Sequence, residues 1–506
     1  MKCNLIEYFS DTVTKFSDKV SLDDNQNQLT FGELDRYSNC LALSILKINE
    51  SSRLPICVYL PKNLWNIVSF IGIMKSGNFY VPLDVKTPYE RTSKILNKLN
   101  SNVIISNSEF KNKLIQSGFL GNVICIEDVL DSNITTDSLS ILEKIKNSLI
   151  DLDPIYSIFT SGSTGTPKGV VISQRGVIDY IEWAKEVYSV TENDIIGNQA
   201  PFYFDNSTLD IYLMIMTGAT LNIIPEDKFA FPIKLIEYVN VKQINFVFWV
   251  PSVLSSVSNF DAFASILPTK LNKILFAGEA MSNKHLNYWR QKYPNALYSN
   301  LYGPTEITVD CTYYIVDRNF KDDESLPIGK ACKNTQILII SENGKLVKKG
   351  EIGELCVRGT SLAFGYYNDS EKTNNAFIQN PLHNSYPDII YKTGDLVFEN
   401  ELEEYIFVGR KDSQIKHMGY RIELGEIETV IQGLQGVNNS CVLYDDSLKQ
   451  IVCFYIGDIS NIEIRKSLMT ILPKYMIPTK WFIESDFPLN ANGKVDRLEL
   501  KKKFEC

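Results

Sequence analysis

The sequence predicts an α/β protein: a large N-terminal domain of layered α/β subdomains with a β-rich subdomain, followed by a small, mobile α+β C-terminal domain. Three observations predict it. Short apolar, β-prone runs alternate with amphipathic helical stretches, as at 54–60 then 64–76, 102–106 then 109–118, and 243–250 then 251–260, which is the rhythm of parallel α/β layers. After about Pro327 the texture changes to strand-like segments separated by turns, at 336–341, 353–358 and 404–408, reading as antiparallel β structure. Then the charged, glycine-containing Val408-Gly-Arg-Lys-Asp-Ser413 stands before a last block that alternates helices and strands from Glu423 onward. A short charged segment between strands suits a hinge. The expected organisation is therefore 1–409 as the N-terminal core, 410–413 as the hinge and 414–506 as the small C-terminal domain.

At 506 residues the chain is too long for one core, and its 44% hydrophobic content is ordinary for a globular protein. A net charge of -9 argues against a nucleic-acid partner, whose footprint would be a basic face. No run of eighteen uncharged apolar residues is present, so no membrane insertion is expected. The first ten residues carry Lys2 and Glu7 and no long apolar core, which does not read as a secretory signal. Ten cysteines without a Cys-x-x-Cys pair, several inside apolar runs, read as reduced, buried thiols of a cytoplasmic protein. His285, His383 and His417 lie far apart, which gives little support to a zinc site or a Ser-His-Asp hydrolase; His417, beside Lys416, reads as a solvated surface residue.

The run Phe159-Thr-Ser-Gly-Ser-Thr-Gly-Thr-Pro-Lys-Gly-Val170 follows an apolar strand containing Ile155, Tyr156 and Ile158. Glycines let backbone amides approach an anion, hydroxyls donate to it, and a lysine supplies charge, which together is polyphosphate chemistry. The spacing is not Gly-x4-Gly-Lys-Ser/Thr, since Lys168 lies three residues after Gly165 and is followed by Gly169. A flexible Ser/Gly linker is the alternative; the Pro-Lys-Gly ending before β-prone Val170, Val171 and Ile172 speaks against it.

Further motifs follow in order: Asn300-Leu-Tyr-Gly-Pro-Thr-Glu306, Tyr391-Lys-Thr-Gly-Asp395, the segment from Gly409 to Glu423, and the segment from Pro488 to Arg497. Taken singly each reads as a turn, a strand end, a charge run or a polar tail. Together, in this order, they resemble the adenylate-forming superfamily of acyl-CoA synthetases, luciferases and amino-acid adenylation domains, over nearly the whole chain from Leu29-Thr-Phe-Gly-Glu-Leu34 to Arg497. Tyr80-Val-Pro-Leu-Asp84, Asn198-Gln-Ala-Pro-Phe-Tyr-Phe-Asp205 and Asn492-Gly-Lys-Val-Asp-Arg497 look like its amino-acid-activating branch, similar to D-alanine–carrier protein ligases and free-standing peptide-synthetase adenylation enzymes.

The resemblance implies roles. Thr160, Ser161, Gly162, Ser163, Thr164, Gly165 and Lys168 would cradle the β- and γ-phosphates of ATP, and Asn300, Tyr302, Gly303 and Thr305 would hold the nucleotide, with Tyr302 stacked on adenine. Glu306 would help bind Mg2+, a hard cation that takes oxygen ligands. Asp395 would meet the ribose hydroxyls with Arg410 nearby, and Lys494 would bridge substrate carboxylate and α-phosphate. The reaction is in-line attack of a carboxylate on the α-phosphorus with pyrophosphate leaving, so cations must offset the repulsion of two anions. No base is needed for a carboxylate already ionised at neutral pH, which agrees with the few histidines. Capture of the aminoacyl adenylate by the phosphopantetheine thiol of a separate carrier protein would follow, after rotation about Asp412, through a face carrying Lys416 and Gly419. Without the resemblance, Asp412 reads as a turn aspartate.

Asp205 follows Phe202 and Phe204 at the start of a helix-like run over 207–216, and read bare it is a capping residue. Among amino-acid-activating relatives an acid here pairs with the substrate ammonium. Positions matching the specificity pocket are Asn206, Leu209, Phe248, Leu275, Ala277, Leu301, Val309 and Asp310, mostly large and apolar. They imply a small or medium uncharged side chain of the alanine, proline, serine or valine type; Asp310 and Asn206 also keep ornithine in view. Ala277, in Leu275-Phe-Ala-Gly-Glu279, stands where D-alanine ligases usually carry cysteine, which leaves chirality open. The competing functions are an acyl- or aryl-acid CoA ligase of the same fold and, from another class, a non-catalytic nucleotide-binding protein.

Overall fold

β-Branched and aromatic residues concentrate in short runs, and these runs form the strands. The computed structural model describes residues 2–49, 51–130, 134–162, 167–412, 414–489 and 495–504. The chain divides into two compact units, Met1–Val85 with Ser101–Ile158 and Val170–Gly409, and Lys86–Asn100 with Phe159–Gly169 and Arg410–Cys506. Segments 86–100 and 159–169, which lie within the stretch expected to form the core, thus group with the C-terminal residues.

The first unit holds two large sheets and a smaller one. In the nine-stranded sheet, Leu297–Tyr302, Lys273–Phe276, Phe246–Trp249, Ile195–Asn198, Thr220–Ile223 and Val20–Asp23 run parallel in that spatial order, with antiparallel strands at both edges. The seven-stranded sheet has a parallel run through Phe79–Pro82, Pro55–Val58, Val103–Ser106 and Asn122–Cys125, and Pro154–Thr160 joins it beside Phe79–Pro82. The predicted helices stand where the periodicity puts them, at Leu64–Lys75, Ser108–Gln116 and Pro251–Asn259. Beyond Pro327 the strands Thr335–Ile340, Gly353–Gly359, Ile389–Glu399 and Phe377–Gln379 pair antiparallel, as the change of texture predicts. The α/β class is therefore borne out. No cysteine among the described residues is joined in a disulfide, and all but Cys3 are buried.

The second unit contains the hairpin Gln414–His417 and Tyr420–Glu423, the helices Leu424–Gln432 and Asn461–Ile471, and a sheet of Val437–Asp445, Gln450–Gly457 and Lys480–Ile483. Ile422, Ile427, Ile431, Val442, Ile464 and Leu468 form its core, each 0% exposed. The hairpin's Met418-Gly419 turn has φ of +52° and +80°, the left-handed pair that a two-residue hairpin loop requires. His417 is half-buried, its Nδ1 3.1 Å from the Tyr444 hydroxyl, so it is not the solvated residue that its charged neighbours suggested.

One buried cation ties two helices of the first unit. Lys75, 6% exposed at the end of Leu64–Lys75, donates to Asp35 Oδ1 (2.7 Å), the Asp35 carbonyl (3.1 Å), Ser38 Oγ (2.8 Å) and Asn39 Oδ1 (2.7 Å) on Phe31–Ile48. Lys75→Met keeps the aliphatic stem and strands those acceptors, so unfolding of this unit is expected to lose about 2–4 kcal/mol, less than for a fully buried pair because Asp35 is partly solvated. Urea titration followed by tryptophan fluorescence checks this; an unchanged midpoint would show that the ammonium contributes nothing net.

Candidate active site

Parallel strands in register send alternate side chains to opposite faces, and this sorts the sequence of the nine-stranded sheet. Phe248 is paired with Leu275, and Leu275 with Ser299, two residues before Leu301. Phe248, Leu275 and Leu301 therefore share one face and join a cluster that also holds Leu209, Ala277, Val309 and Phe202, while Trp249, Phe276 and Ile274 serve the core on the other side. The six apolar residues singled out in the sequence all belong to the main hydrophobic core of the first unit, which runs from Leu5 to Tyr366, and each is no more than 2% exposed. Asp205 stands half-buried at the N-cap of Asn206–Thr217, one turn before Leu209, with Asn206 opening the helix. Its carboxylate makes no capping hydrogen bond, so the bare reading as a cap does not hold.

A tight loop follows Leu297–Tyr302. A side chain at Gly303 would meet the Val309 carbonyl at 2.3 Å and Asp310 Cα at 2.6 Å, so only glycine fits. Thr305–Ile307 forms a single 3-10 turn; then Thr308 and Val309 take φ of +55° and +72°, uncommon for β-branched residues. The loop closes where Cys311 N donates to the Tyr302 carbonyl at 2.8 Å. Three carboxylates of this region are buried, and each accepts from a tyrosine. Tyr366 donates to Glu306 Oε1 at 2.8 Å, Tyr180 to Asp310 Oδ2 at 2.6 Å, and Tyr302 to Asp395 Oδ2. Burial, with the adjacent Asp395 and Asp310 carboxylates adding to it, pushes the Tyr302 and Tyr180 phenols well above their ordinary range, so both remain donors at neutral pH. The expected adenine-stacking and ribose-binding residues, 93 positions apart, thus touch. Asn300 Nδ2 donates to the Pro327 carbonyl at 2.8 Å, and Thr305 is 7% exposed.

Within the second unit, Ser161 Oγ donates to the Arg421 carbonyl (2.8 Å) and accepts from Glu423 N (3.2 Å). Gly162 N donates to Glu426 Oε2 at 3.3 Å; the other Glu426 oxygen pairs with Arg91. The amide expected to meet phosphate therefore meets a carboxylate. Thr160 ends its strand with a hydroxyl that is buried and, among the described residues, lacks a hydrogen-bond partner. Lys168 opens Lys168–Ser173; burial raises the Glu423 carboxyl and the Lys168 charge draws it back down. Arg410 grips Asp412 with two nitrogens, Nε to Oδ1 at 2.7 Å and Nη2 to Oδ2 at 2.8 Å, and Gln414 N adds 3.2 Å. Burial opposes ionisation of Asp412, but these donors hold it below the usual carboxylate range. Lys416 is exposed on the hairpin and Gly419 lies at its tip. Ser163, Thr164, Gly165 and Lys494 lie outside the described residues.

Sequence reasoning missed Tyr180, Tyr366, Arg91 and Glu426, because each acts across a long separation that no local spacing encodes. Among the described residues no group of three or more His, Cys, Asp or Glu side chains gathers to hold a metal. Nor is any helix among them long and apolar enough to cross a membrane.

Residues 9–367 match the family of AMP-binding enzymes. The chain is 32% identical to the D-alanine–D-alanyl carrier protein ligase of Listeria monocytogenes, over 99% of each chain. It is 30% identical to zwittermicin A synthase ZmaJ of Bacillus cereus, over 97% of this chain and 93% of that one. Among solved structures it resembles the Vibrio cholerae adenylation domain AlmE in complex with glycyl-adenosine-5'-phosphate, with a TM-score of 0.85 at 21% identity, covering 100% of this chain and 98% of that one. With most of its residues inside that match and carrier-ligase relatives aligned over nearly its full length, the chain belongs to the AMP-binding enzyme family, the adenylate-forming ligases.

Proposed function

We propose that this ligase activates a small or medium uncharged amino acid, of the alanine, proline, serine or valine type, to aminoacyl-AMP and then loads the phosphopantetheine thiol of a separate carrier protein. The observation that carries the amino-acid reading is Asp205, a half-buried acid at the start of Asn206–Thr217, one turn ahead of the buried Leu209. A half-buried carboxylate facing a substrate ammonium makes a strong charge-assisted hydrogen bond. Leu209, Phe248, Leu275, Ala277, Leu301 and Val309 would enclose the side chain, with Asn206 and Asp310 at its polar margin. Carrier-protein ligases among the relatives support the second half-reaction.

The domain division into 1–409, 410–413 and 414–506 belongs to this reading. In the first half-reaction, Thr160, Ser161, Gly162, Ser163, Thr164, Gly165 and Lys168 hold the β- and γ-phosphates of ATP. The buried Thr160 hydroxyl and the carboxylate already resting on the Gly162 amide support that anion-binding character. Tyr302, with Asn300, Gly303 and Thr305, holds adenine, while Asp395 and Arg410 serve the ribose. Glu306 fits Mg2+, since its buried carboxylate is oriented by Tyr366, and the ion would supply charge neutralisation on the phosphates. Lys494 brings the acid group and the α-phosphorus together and steadies the charge that builds between them. Asp412 is then the pivot, its bidentate Arg410 grip fixing one setting, and Lys416 and Gly419 line the entry for the thiol. The cytoplasm, where ATP and carrier proteins meet, is the compartment this chemistry requires.

A pyrophosphate-exchange panel of L- and D-amino acids is expected to give label in ATP with one or a few small uncharged members. Silence across the panel with exchange on a simple carboxylic acid would instead favour an acyl- or aryl-acid CoA ligase, and silence throughout a non-catalytic nucleotide binder. Asp205→Ala is expected to raise the amino-acid KM about 10- to 100-fold, the worth of one charge-assisted hydrogen bond, with the MgATP KM unchanged; equal effects on both would refute its role.

Lys494→Ala should abolish exchange while ATP binding, measured by calorimetry, stays near wild type. Lys168→Ala should raise the MgATP KM, and a change confined to the amino acid would contradict its phosphate role.

A further inference from the structure

The turn that delivers Asp205 is stapled by a pair of residues with no assigned role. Asn198 ends the strand Ile195–Asn198 and Asp210 lies in the second turn of Asn206–Thr217; both are 0% exposed. Asn198 Nδ2 donates to Asp210 Oδ2 at 2.9 Å. Among the described residues, Asn198 Oδ1 and Asp210 Oδ1 each lack a hydrogen-bond partner. Two orphan acceptors on side chains already joined to each other are costly at fully buried positions. One proton on Asp210 turns its orphan oxygen into a donor for the amide oxygen, and the acid–amide contact becomes reciprocal. The base of the same turn is held by Lys62, whose ammonium donates to the carbonyls of Asn198 (3.4 Å) and Gln199 (2.8 Å) and lies 5.8 Å from the Phe202 ring centroid.

We propose that Asp210, as a neutral acid paired with Asn198, is a positioning residue that fixes the turn 199–205 and hence the bearing of Asp205. Asp210 touches no reacting atom. Its pair ties the strand end to the helix across the turn, so Asp205 meets a ligand without reorganising its own backbone. Burial pushes the Asp210 carboxyl up to about 8, and the Asn198 amide and the Lys62 charge draw it back less strongly. The inference rests on the reading of Asp205 as the ammonium partner.

The test compares Asp210→Asn with Asp210→Ala by pyrophosphate exchange and thermal melting. Asparagine reproduces both bonds of the neutral pair, so D210N should keep the amino-acid KM within about threefold of wild type and melt no lower. D210A should raise that KM about tenfold or more with the MgATP KM unmoved. If D210N behaves like D210A, Asp210 acts as a charge and the proposal falls. Should D210A not fold, Asn198→Ala removes the same pair from the strand end and takes its place. If wild type exchanges with no amino acid, it is the Asp205 reading that has failed. Melting then decides the pair alone: D210N at or above wild type supports the neutral acid, and D210N as low as the alanine variant overturns it.

Discussion

The left-handed backbone at Thr308 and Val309 is the constraint around which the loop carrying Glu306 and Asp310 is built. β-Branched residues do not rest there; each such position costs about 1–3 kcal/mol and persists only where its surroundings over-determine it. Here the surroundings do. Cys311 N returns to the Tyr302 carbonyl, Thr308 Oγ1 donates to the Ser361 carbonyl at 2.8 Å, and Gly303 leaves room for the Val309 carbonyl. With the loop so fixed, Glu306 and Asp310 are presented from a few residues of chain, and Val309 reaches the apolar cluster. Relaxing these two residues to ordinary backbone would displace all three together.

The electrostatic character of the site follows from the partners of its acids. Glu306, Asp395 and Asp310 each accept a tyrosine hydroxyl. Each phenol hydroxyl fills one lone pair of its acid and fixes the orientation of the carboxyl group. A buried carboxylate so oriented keeps its remaining lone pairs for a cationic partner. On the function proposed above, a divalent ion would meet such an oriented acid at Glu306.

Most of the fold was legible because the signals were local. Strand and helix positions such as Pro55–Val58 with Leu64–Lys75, and Phe246–Trp249 with Pro251–Asn259, follow from apolar runs and their periods. The six apolar positions came from resemblance, and the register of Phe248 with Leu275 is the physical reason those two share a face of the sheet. What stayed illegible is long-range pairing. Nothing near Tyr366 announces Glu306, sixty residues earlier in the chain, and nothing near Arg91 announces Glu426. Asp210 looked like one more helix residue until its burial beside Asn198 appeared. The carry-over to Lys494, Ser163, Thr164 and Gly165 rests on motif alone, since those residues lie outside the described chain.

The glycine-rich loop supplies the last step. Ser161 and Gly162 engage the Arg421 carbonyl, Glu423 N and the Glu426 carboxylate inside the second unit, the unit that also carries the Arg410–Asp412 clasp. A backbone amide that donates to a buried carboxylate is an anion site by its chemistry, whatever anion fills it. Phosphate oxygens offered to Gly162 therefore compete with Glu426 rather than enter an uncommitted loop. If they win, Glu426 retains Arg91 as its counter-charge and is not left as an isolated buried ion, a loss that would oppose the exchange by several kcal/mol, roughly the cost of breaking a buried pair. Arg91, unremarkable in the sequence, thus makes the carboxylate a partner that can be displaced without being stranded.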